Sequence, residues 1–136
     1  MPAKPPTVVD LSWTGNLTFS GSSAGKNLIL DGDSQAGPSP VQALGFALAG
    51  CMAADVVHVL VRGRHPLRGL HAHLTADRAQ EDPHRFVSVA LVFTVEGAVP
   101  ADAVERAIAL SREKYCSVWH SLARDIAFTV TVEQHE

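Results

Sequence analysis

The chain has 136 residues, 46% of them hydrophobic and 18% charged, and its formal net charge is −3 with neutral histidines. This size and composition fit one globular domain and exclude an intrinsically disordered chain. The scattered basic residues give no electrostatic reason for nucleic-acid binding, which needs clustered lysine and arginine. We therefore expect a single domain over residues 1–136 with no nucleic-acid partner.

The first residues and the cysteine count indicate the compartment. The chain begins with a polar, proline-rich stretch that no apolar signal region follows, so we expect a cytoplasmic protein. In a reducing cytosol, the two cysteines, Cys51 and Cys116, are not expected to form a permanent structural disulfide. They are either buried thiols or redox-active ones.

The first half of the chain predicts three short strands and then a long helix. Strands are expected at residues 7–13, 16–20 and 26–31, separated by a Thr-Gly turn and by a Gly/Ser-rich stretch at 21–25. Ser39 and Gln42 match a capping box, with Pro40 as the first helical residue. The helix should end near Val61, before the turn residues 62–66.

This long helix has almost no polar side chains. Between residues 41 and 61 only Gln42, Asp55 and His58 are polar, so the helix is either buried on every side or lies in a membrane. Asp55 and His58 interrupt the run and no second span is present, which favours burial and no membrane partner. A chain of this length has little material to cover such a helix, so a second subunit should cover it and the protein should be a homodimer.

The second half predicts two long strands, two helices and a last strand. Residues 70–77 and 87–95 alternate apolar and polar side chains around a turn at 81–84, which is typical of a hairpin with one buried face. A helix should begin at Pro100, and Ser117 can cap a short helix that reaches Arg124. A strand at 126–133 completes an α+β fold with the order βββ-α-ββ-α-α-β.

Two groups of residues could carry chemistry on the long helix and beside the second cysteine. One face of the helix carries Cys51, Asp55 and His58. These residues could form a constellation for nucleophilic catalysis. Alternatively, Asp55 and His58 form a buried polar pair or face a partner subunit, and Cys51 is a thiol beside them. The second interpretation is favoured because a carboxylate one turn away disfavours a thiolate. Cys116 precedes the helix capped by Ser117, where the helix dipole favours a thiolate, unless it is an inert thiol in a helix corner. Three cationic side chains within four residues of Cys116 would also favour its thiolate, namely Arg112, Lys114 and His120.

Other chemistry is not indicated. His71 and His73 have a spacing that can bind metal, but without cysteine or carboxylate partners we interpret them as surface histidines. No glycine-rich phosphate loop or nucleophile elbow is present, so we expect neither a metal nor an organic cofactor.

Several short motifs follow one another along nearly the whole chain: Trp13-Thr14-Gly15, Gly25, Leu30-Asp31-Gly32, Pro38-Ser39-Pro40 eleven residues ahead of Cys51, and Lys114-Tyr115-Cys116-Ser117. In order and in spacing these motifs resemble the OsmC/Ohr family, the osmotically inducible and organic hydroperoxide resistance proteins. The segment Gly50-Cys51 to Val57, with Arg62-Gly63-Arg64-His65, most closely resembles an OsmC-like subgroup.

The resemblance implies an intertwined homodimer and a thiol reaction. In peroxidase members the first cysteine attacks the O–O bond of an organic hydroperoxide and becomes a sulfenic acid. The second cysteine condenses with it to a disulfide, which a dithiol reductant reopens. Carried over by position, Cys51 is the peroxidatic and Cys116 the resolving residue, in a role in oxidative or osmotic stress.

Two features that the family uses to hold the thiolate are absent from the expected positions. These are an arginine from the first strands and a glutamate at the start of the long helix. Residues 1–37 contain no arginine, and the glutamate positions are Val41 and Gln42. Two functions therefore stay open: a thiol peroxidase, or a non-enzymatic stress protein that binds small apolar molecules or senses redox state.

Overall fold

The computed structural model of the protein describes residues 3–136, which divide after Leu44 into two compact units. The element order agrees with the βββ-α-ββ-α-α-β prediction and confirms the α+β class. The elements are β1 Asp10–Gly15, β2 Thr18–Ser23, β3 Lys26–Asp31, α1 Pro40–Arg62, β4 Gly69–Arg78, β5 Phe86–Glu96, α2 Ala101–Leu110, a π-helical turn Ser111–Tyr115, α3 Ser117–His120 and β6 Ala127–His135.

The first unit contains an antiparallel sheet with the strand order β1-β2-β3. The stretch 21–25 was expected to separate two strands, but residues up to Ser23 belong to β2 because they pair with β3 down to Lys26. Only Ala24 and Gly25 form the turn, and both have positive φ. At the end of β3, the buried Asp31 carboxylate accepts backbone N–H bonds from Asp33 and Ala36, each at 2.9 Å.

The start of α1 has the predicted capping box. The Gln42 N–H donates to Ser39 Oγ at 3.1 Å, and the Ser39 N–H donates to Gln42 Oε1 at 2.9 Å. These two bonds satisfy backbone donors that a helix start leaves without partners. At the other end, Gly63 N–H still bonds to Val59 O, and the left-handed φ of Arg64 (60°) ends the helix.

Within one chain, a smaller part of the α1 surface is buried than the composition of the helix predicts. Only one stripe is fully buried, formed by residues four apart: Leu48, Met52, Val56 and Leu60. Phe46 is 71% exposed. The helix is long and apolar enough to cross a membrane, and 22% of its most apolar stretch is buried within the chain. Length and composition alone do not separate a membrane span from a core helix.

The second unit is built on a sheet with the order β4-β5-β6, in which β5 is antiparallel to β4 and parallel to β6. The parallel pair requires a crossover, which α2, the π-helical turn and α3 supply. The fully buried side chains of β5 are Val89, Leu91, Phe93 and Val95, and α2 contributes Val104, Ala107 and Ile108. The predicted hairpin and its buried face are confirmed.

The segment after α2 differs from the prediction. After Leu110 the helix widens into the π-helical turn, which the sequence did not predict and in which Cys116 N–H donates to Ser111 O at 2.8 Å. The residue that caps α3 is Cys116, whose sulfur accepts the Trp119 N–H, and not Ser117. The last helix ends at His120 and does not reach Arg124, because a turn region occupies the following residues.

Candidate active site

Cys51 and Asp55 lie one turn apart in the second half of α1, and both are half-buried. Their positions precede Met52 and Val56 by one residue, so they border the fully buried stripe of the helix. A side chain on such a border keeps one side in the protein and one side toward its surface. His58, which sequence spacing placed in the same line, is exposed.

Cys116 is fixed at the end of the π-helical turn. Its backbone N–H is bonded to Ser111 O, and its ψ of 97° takes the chain out of the helix. The side chain is fully buried, and its Sγ accepts the Trp119 N–H at 3.4 Å. Single π-helical turns within helices often occur at functional sites because they re-aim one side chain.

The fold brings the two cysteines together with Asp55. Cys51 Sγ, Cys116 Sγ and a carboxylate oxygen of Asp55 all lie within 4.8 Å of one another. Closing a disulfide would need the two sulfurs to approach to about 2.05 Å. Two thiols and a carboxylate are also ligands that suit a soft metal ion.

Ser111 supports this cluster and was missed by sequence reasoning. Its side chain is fully buried, and its Oγ donates to Asp55 Oδ2 at 2.7 Å. The signal that could have found it is its position: Ser111 continues the inner face of α2 after Val104, Ala107 and Ile108. A hydroxyl on an apolar face requires a buried acceptor.

The electrostatics at Cys116 are opposite to those expected from the sequence. Burial is the main cause that raises the pKa of its thiol from 9.0 to about 11. The Trp119 N–H lowers this pKa, whereas the hydrogen bond and charge of Cys51 and the charge of Asp55 add smaller increases. The expected thiolate at Cys116 is therefore wrong. The dipole of the four-residue α3 is too weak to offset the desolvation of Cys116.

The cationic side chains near Cys116 in sequence contact other groups. Arg112 donates to Phe128 O at 2.7 Å and lies over the Phe128 ring. Lys114 lies over the Tyr115 ring, and His120 Nε2 is 3.0 Å from Arg112 O. Among residues 45–136, no arginine or lysine forms a hydrogen bond or ion pair with Cys51, Asp55 or Cys116.

The remaining candidate residues do not join this cluster. His71 and His73 are exposed side chains of β4, as expected of surface histidines. Asp55 bonds to Ser111 rather than pairing with His58.

The class of protein to which this chain belongs follows from its similarity to a known family. The sequence model of the family described as "OsmC-like protein" matches residues 31–131. The chain is 40% identical over 126 residues to Protein YhfA of Escherichia coli K12, and the aligned region covers 90% of this chain and 94% of YhfA. The chain therefore belongs to the OsmC-like family, as the sequence motifs predicted.

Solved structures share this fold at low sequence identity. An OsmC-like protein from Mycoplasma pneumoniae superposes with a TM-score of 0.86 at 14% identity, covering 98% of this chain and 100% of the other. An organic hydroperoxide resistance protein from Legionella pneumophila gives a TM-score of 0.71 at 16% identity, covering 97% and 99%. At such identities the similarity shows the fold alone.

Proposed function

We propose that this protein is a thiol-dependent peroxidase that reduces organic hydroperoxides through Cys51 and Cys116. The observation that carries the proposal is the distance between the two sulfurs, at most 4.8 Å, in residues far apart in sequence. The membership of the chain in the OsmC-like family, and the resemblance of its motifs to the organic hydroperoxide resistance proteins, support the substrate class. The protein would then act in the response to peroxide stress.

The roles of the two cysteines follow from their burial. Cys51 is half-buried, so a hydroperoxide can reach its sulfur, whereas Cys116 is fully buried. With a pKa of about 11, Cys116 stays protonated at neutral pH and is a poor nucleophile toward peroxide. Cys51 is therefore the peroxidatic residue and Cys116 the resolving one.

The reaction has two steps with balanced atoms. The Cys51 thiolate attacks the outer peroxide oxygen, the O–O bond breaks, and the alkoxide takes a proton and leaves as the alcohol, with Cys51 as a sulfenic acid. Cys116 sulfur then attacks Cys51 sulfur, hydroxide leaves and forms water with the proton of the Cys116 thiol. A dithiol reductant restores both thiols by two exchange steps.

The first step prepares the second. Two causes of the high Cys116 pKa are the hydrogen bond and the charge of Cys51. Both change when Cys51 becomes an uncharged sulfenic acid, so the pKa of Cys116 should fall toward the value that burial and Asp55 alone maintain. The resolving thiol thus becomes more nucleophilic once its target has formed.

The working form should be a cytoplasmic homodimer in which each chain is a single OsmC-like domain. In α1 the side chains outside the buried stripe include Phe46, 71% exposed, and Val61, 58% exposed. In the first unit, Trp13 is 69% exposed and Leu28 53%. Apolar surfaces of this kind mark interfaces, and a three-stranded sheet needs a covered face for stability. A second copy of the chain would cover both.

The test is a stoichiometric oxidation. Reduced protein is mixed with one equivalent of cumene hydroperoxide, and free thiols, cumyl alcohol and the disulfide are measured. We expect the loss of both thiols per chain, one cumyl alcohol and an intramolecular disulfide. Cys116→Ser should instead accumulate a Cys51 sulfenic acid that dimedone traps, and Cys51→Ser should not consume peroxide. Intact thiols after prolonged exposure, in a folded protein, would exclude the peroxidase.

A second function remains supported by one observation, the lack of a cationic partner for the site within residues 45–136. Without an activating cation the chain would be a slow redox sensor or a non-enzymatic stress protein that binds small apolar molecules. Steady-state turnover separates the two. A peroxidase consumes many equivalents of hydroperoxide in the presence of dithiothreitol, whereas a sensor forms its disulfide once and slowly.

A further inference from the structure

The cluster of Cys51, Asp55 and Cys116 has the composition of a soft-metal site. Zinc is bound at about 2.3 Å by cysteine sulfur and at about 2.0–2.2 Å by carboxylate oxygen, usually in a tetrahedron. Such bond lengths place neighbouring ligand atoms roughly 3.5–3.8 Å apart. The three ligand atoms here lie within 4.8 Å of one another, so a contraction of about 1 Å suffices to bind the ion.

The surroundings of the cluster hold the ligands as a metal site requires. Ser111 Oγ donates to Asp55 Oδ2 at 2.7 Å, which fixes the carboxylate and leaves its other oxygen free. Cys116 is held by its backbone bond to Ser111 O. Hydrogen bonds that orient the ligands in this way are the usual support of a metal site. Ser111 thus orients the Asp55 ligand and tethers the Cys116 ligand.

The charges favour a cation at the same place. A carboxylate and two ionisable thiols converge, and no lysine or arginine among residues 45–136 pairs with them. A carboxylate beside two thiols, with no positive side chain paired to it, is a place where a cation would be stabilised. A divalent ion would compensate both thiolates and leave a single negative charge from the carboxylate.

We propose that the reduced protein binds one soft divalent cation of the zinc type through Cys51 Sγ, Cys116 Sγ and the Asp55 carboxylate, with an exogenous ligand completing four-coordination. Two metal–sulfur bonds form, the two thiol protons pass to solvent, and no electrons are transferred. Disulfide formation removes both sulfur ligands, so the oxidised protein cannot bind the ion. This site differs from the sequence-based expectation of no metal, because sequence spacing could not show that Asp55 meets both cysteines.

Cobalt(II) is a suitable probe because thiolate coordination gives it a charge-transfer band that histidine or carboxylate coordination does not. Reduced wild-type protein, freed of dithiothreitol under anaerobic conditions, is titrated with cobalt and then with zinc. We expect the band to saturate at one cobalt per chain, zinc to displace it, and zinc binding to release about two protons per ion. The disulfide form of the same protein should give no band.

Variants assign the ligands. Cys51→Ser and Cys116→Ser should each lose at least half of the band. Ser111→Ala should weaken zinc binding roughly tenfold to a hundredfold while keeping the band. The matched control is His71→Ala with His73→Ala, which removes exposed imidazoles and should leave the band and the zinc affinity unchanged.

Three results would overturn the metal site: no charge-transfer band in the reduced wild type at stoichiometric cobalt, an undiminished band in Cys116→Ser, or a band lost in the histidine control. If a cysteine variant fails to fold, the comparison of reduced with oxidised wild type decides, because both are native chains. Peroxide turnover is not measured in these experiments, so failure of the metal site and failure of the peroxidase are distinguishable.

Discussion

Asp55→Asn should lower the pKa of the Cys116 thiol, because the Asp55 charge is one of the causes that hold this pKa near 11. The carboxylate oxygen and Cys116 Sγ are at most 4.8 Å apart. At this distance two unit charges interact with about 0.9 kcal/mol under full aqueous screening and about 3.5 kcal/mol at an effective dielectric of 20. One pKa unit corresponds to about 1.4 kcal/mol, so the pKa should fall by at least about 0.6 unit.

The decrease in the pKa of Cys116 should be close to this lower limit. Burial is the largest cause of the raised pKa and Cys51 contributes more than Asp55, and asparagine changes neither of these. Ser111→Ala is the matched control, because it removes the hydrogen bond to Asp55 Oδ2 but keeps the charge. It should leave the pKa of Cys116 closer to the parent value than Asp55→Asn does.

The measurement is a pH titration of thiolate ultraviolet absorbance, which does not require a reagent to reach a buried sulfur. Cys51→Ser is the parent, and the spectrum of Cys51→Ser with Cys116→Ser is subtracted to remove the Tyr115 signal. The parent pKa should already be below about 11, because Cys51 is absent. An unchanged or higher Cys116 pKa after Asp55→Asn, in a protein with native circular dichroism, would refute the proposed electrostatic contact.

Three further predictions concern assembly and stability. Phe46→Glu should convert the proposed dimer into monomers in sedimentation equilibrium, whereas Thr75→Glu on the exposed face of β4 should not; a dimer that survives Phe46→Glu would place the interface elsewhere. Met52→Ala should lower the free energy of unfolding in urea by about 2–5 kcal/mol, because Met52 is fully buried; a loss under 1 kcal/mol would contradict this burial. The N–H bonds from Ala36 and Asp33 lower the pKa of Asp31 in the folded protein below 3.8. The contribution of the Asp31 carboxylate to the stability of the folded protein is therefore complete above pH 3.8, and it is lost as the pH falls through the pKa of Asp31 in the folded state. The urea midpoints of wild type and Asp31→Asn should therefore differ most above pH 3.8 and converge in stronger acid, and a constant difference would contradict the assignment.

Most of the fold follows from signals within single segments of the sequence. The capping box at Ser39 and Gln42 is local chemistry, so the start of α1 could be predicted to the residue. The alternation in β4 and β5 likewise gave their buried faces. The ends of β1 and β2 could not be read so closely, because hydrogen bonding to β3 extends β2 across Gly21 to Ser23, a stretch whose composition is typical of a loop.

The candidate site was predictable only in part. The family resemblance supplied Cys51 and Cys116, but Ser111 and the role of Asp55 depend on the contact of the π-helical turn with α1, which no local pattern encodes. The π-helical turn had no sequence signal either. Cys116 was expected to precede the residue that caps the next helix, but it is itself the cap of a very short helix, where burial outweighs the dipole.

The raised pKa of Cys116 and the proximity of Asp55 lead to one consistent account of the site. In the proposed peroxidase, a Cys116 thiol that is protonated at neutral pH would not compete with Cys51 for peroxide, and the disulfide would form only after Cys51 has been oxidised. Burial keeps Cys116 protonated, the charge of Asp55 adds a smaller contribution, and Asp55 is itself fixed by Ser111. The same carboxylate would complete a metal site while both thiols are reduced. Bound zinc should therefore slow the oxidation of Cys51 by hydroperoxide, because a sulfur shared with the ion is a weaker nucleophile than a free thiolate.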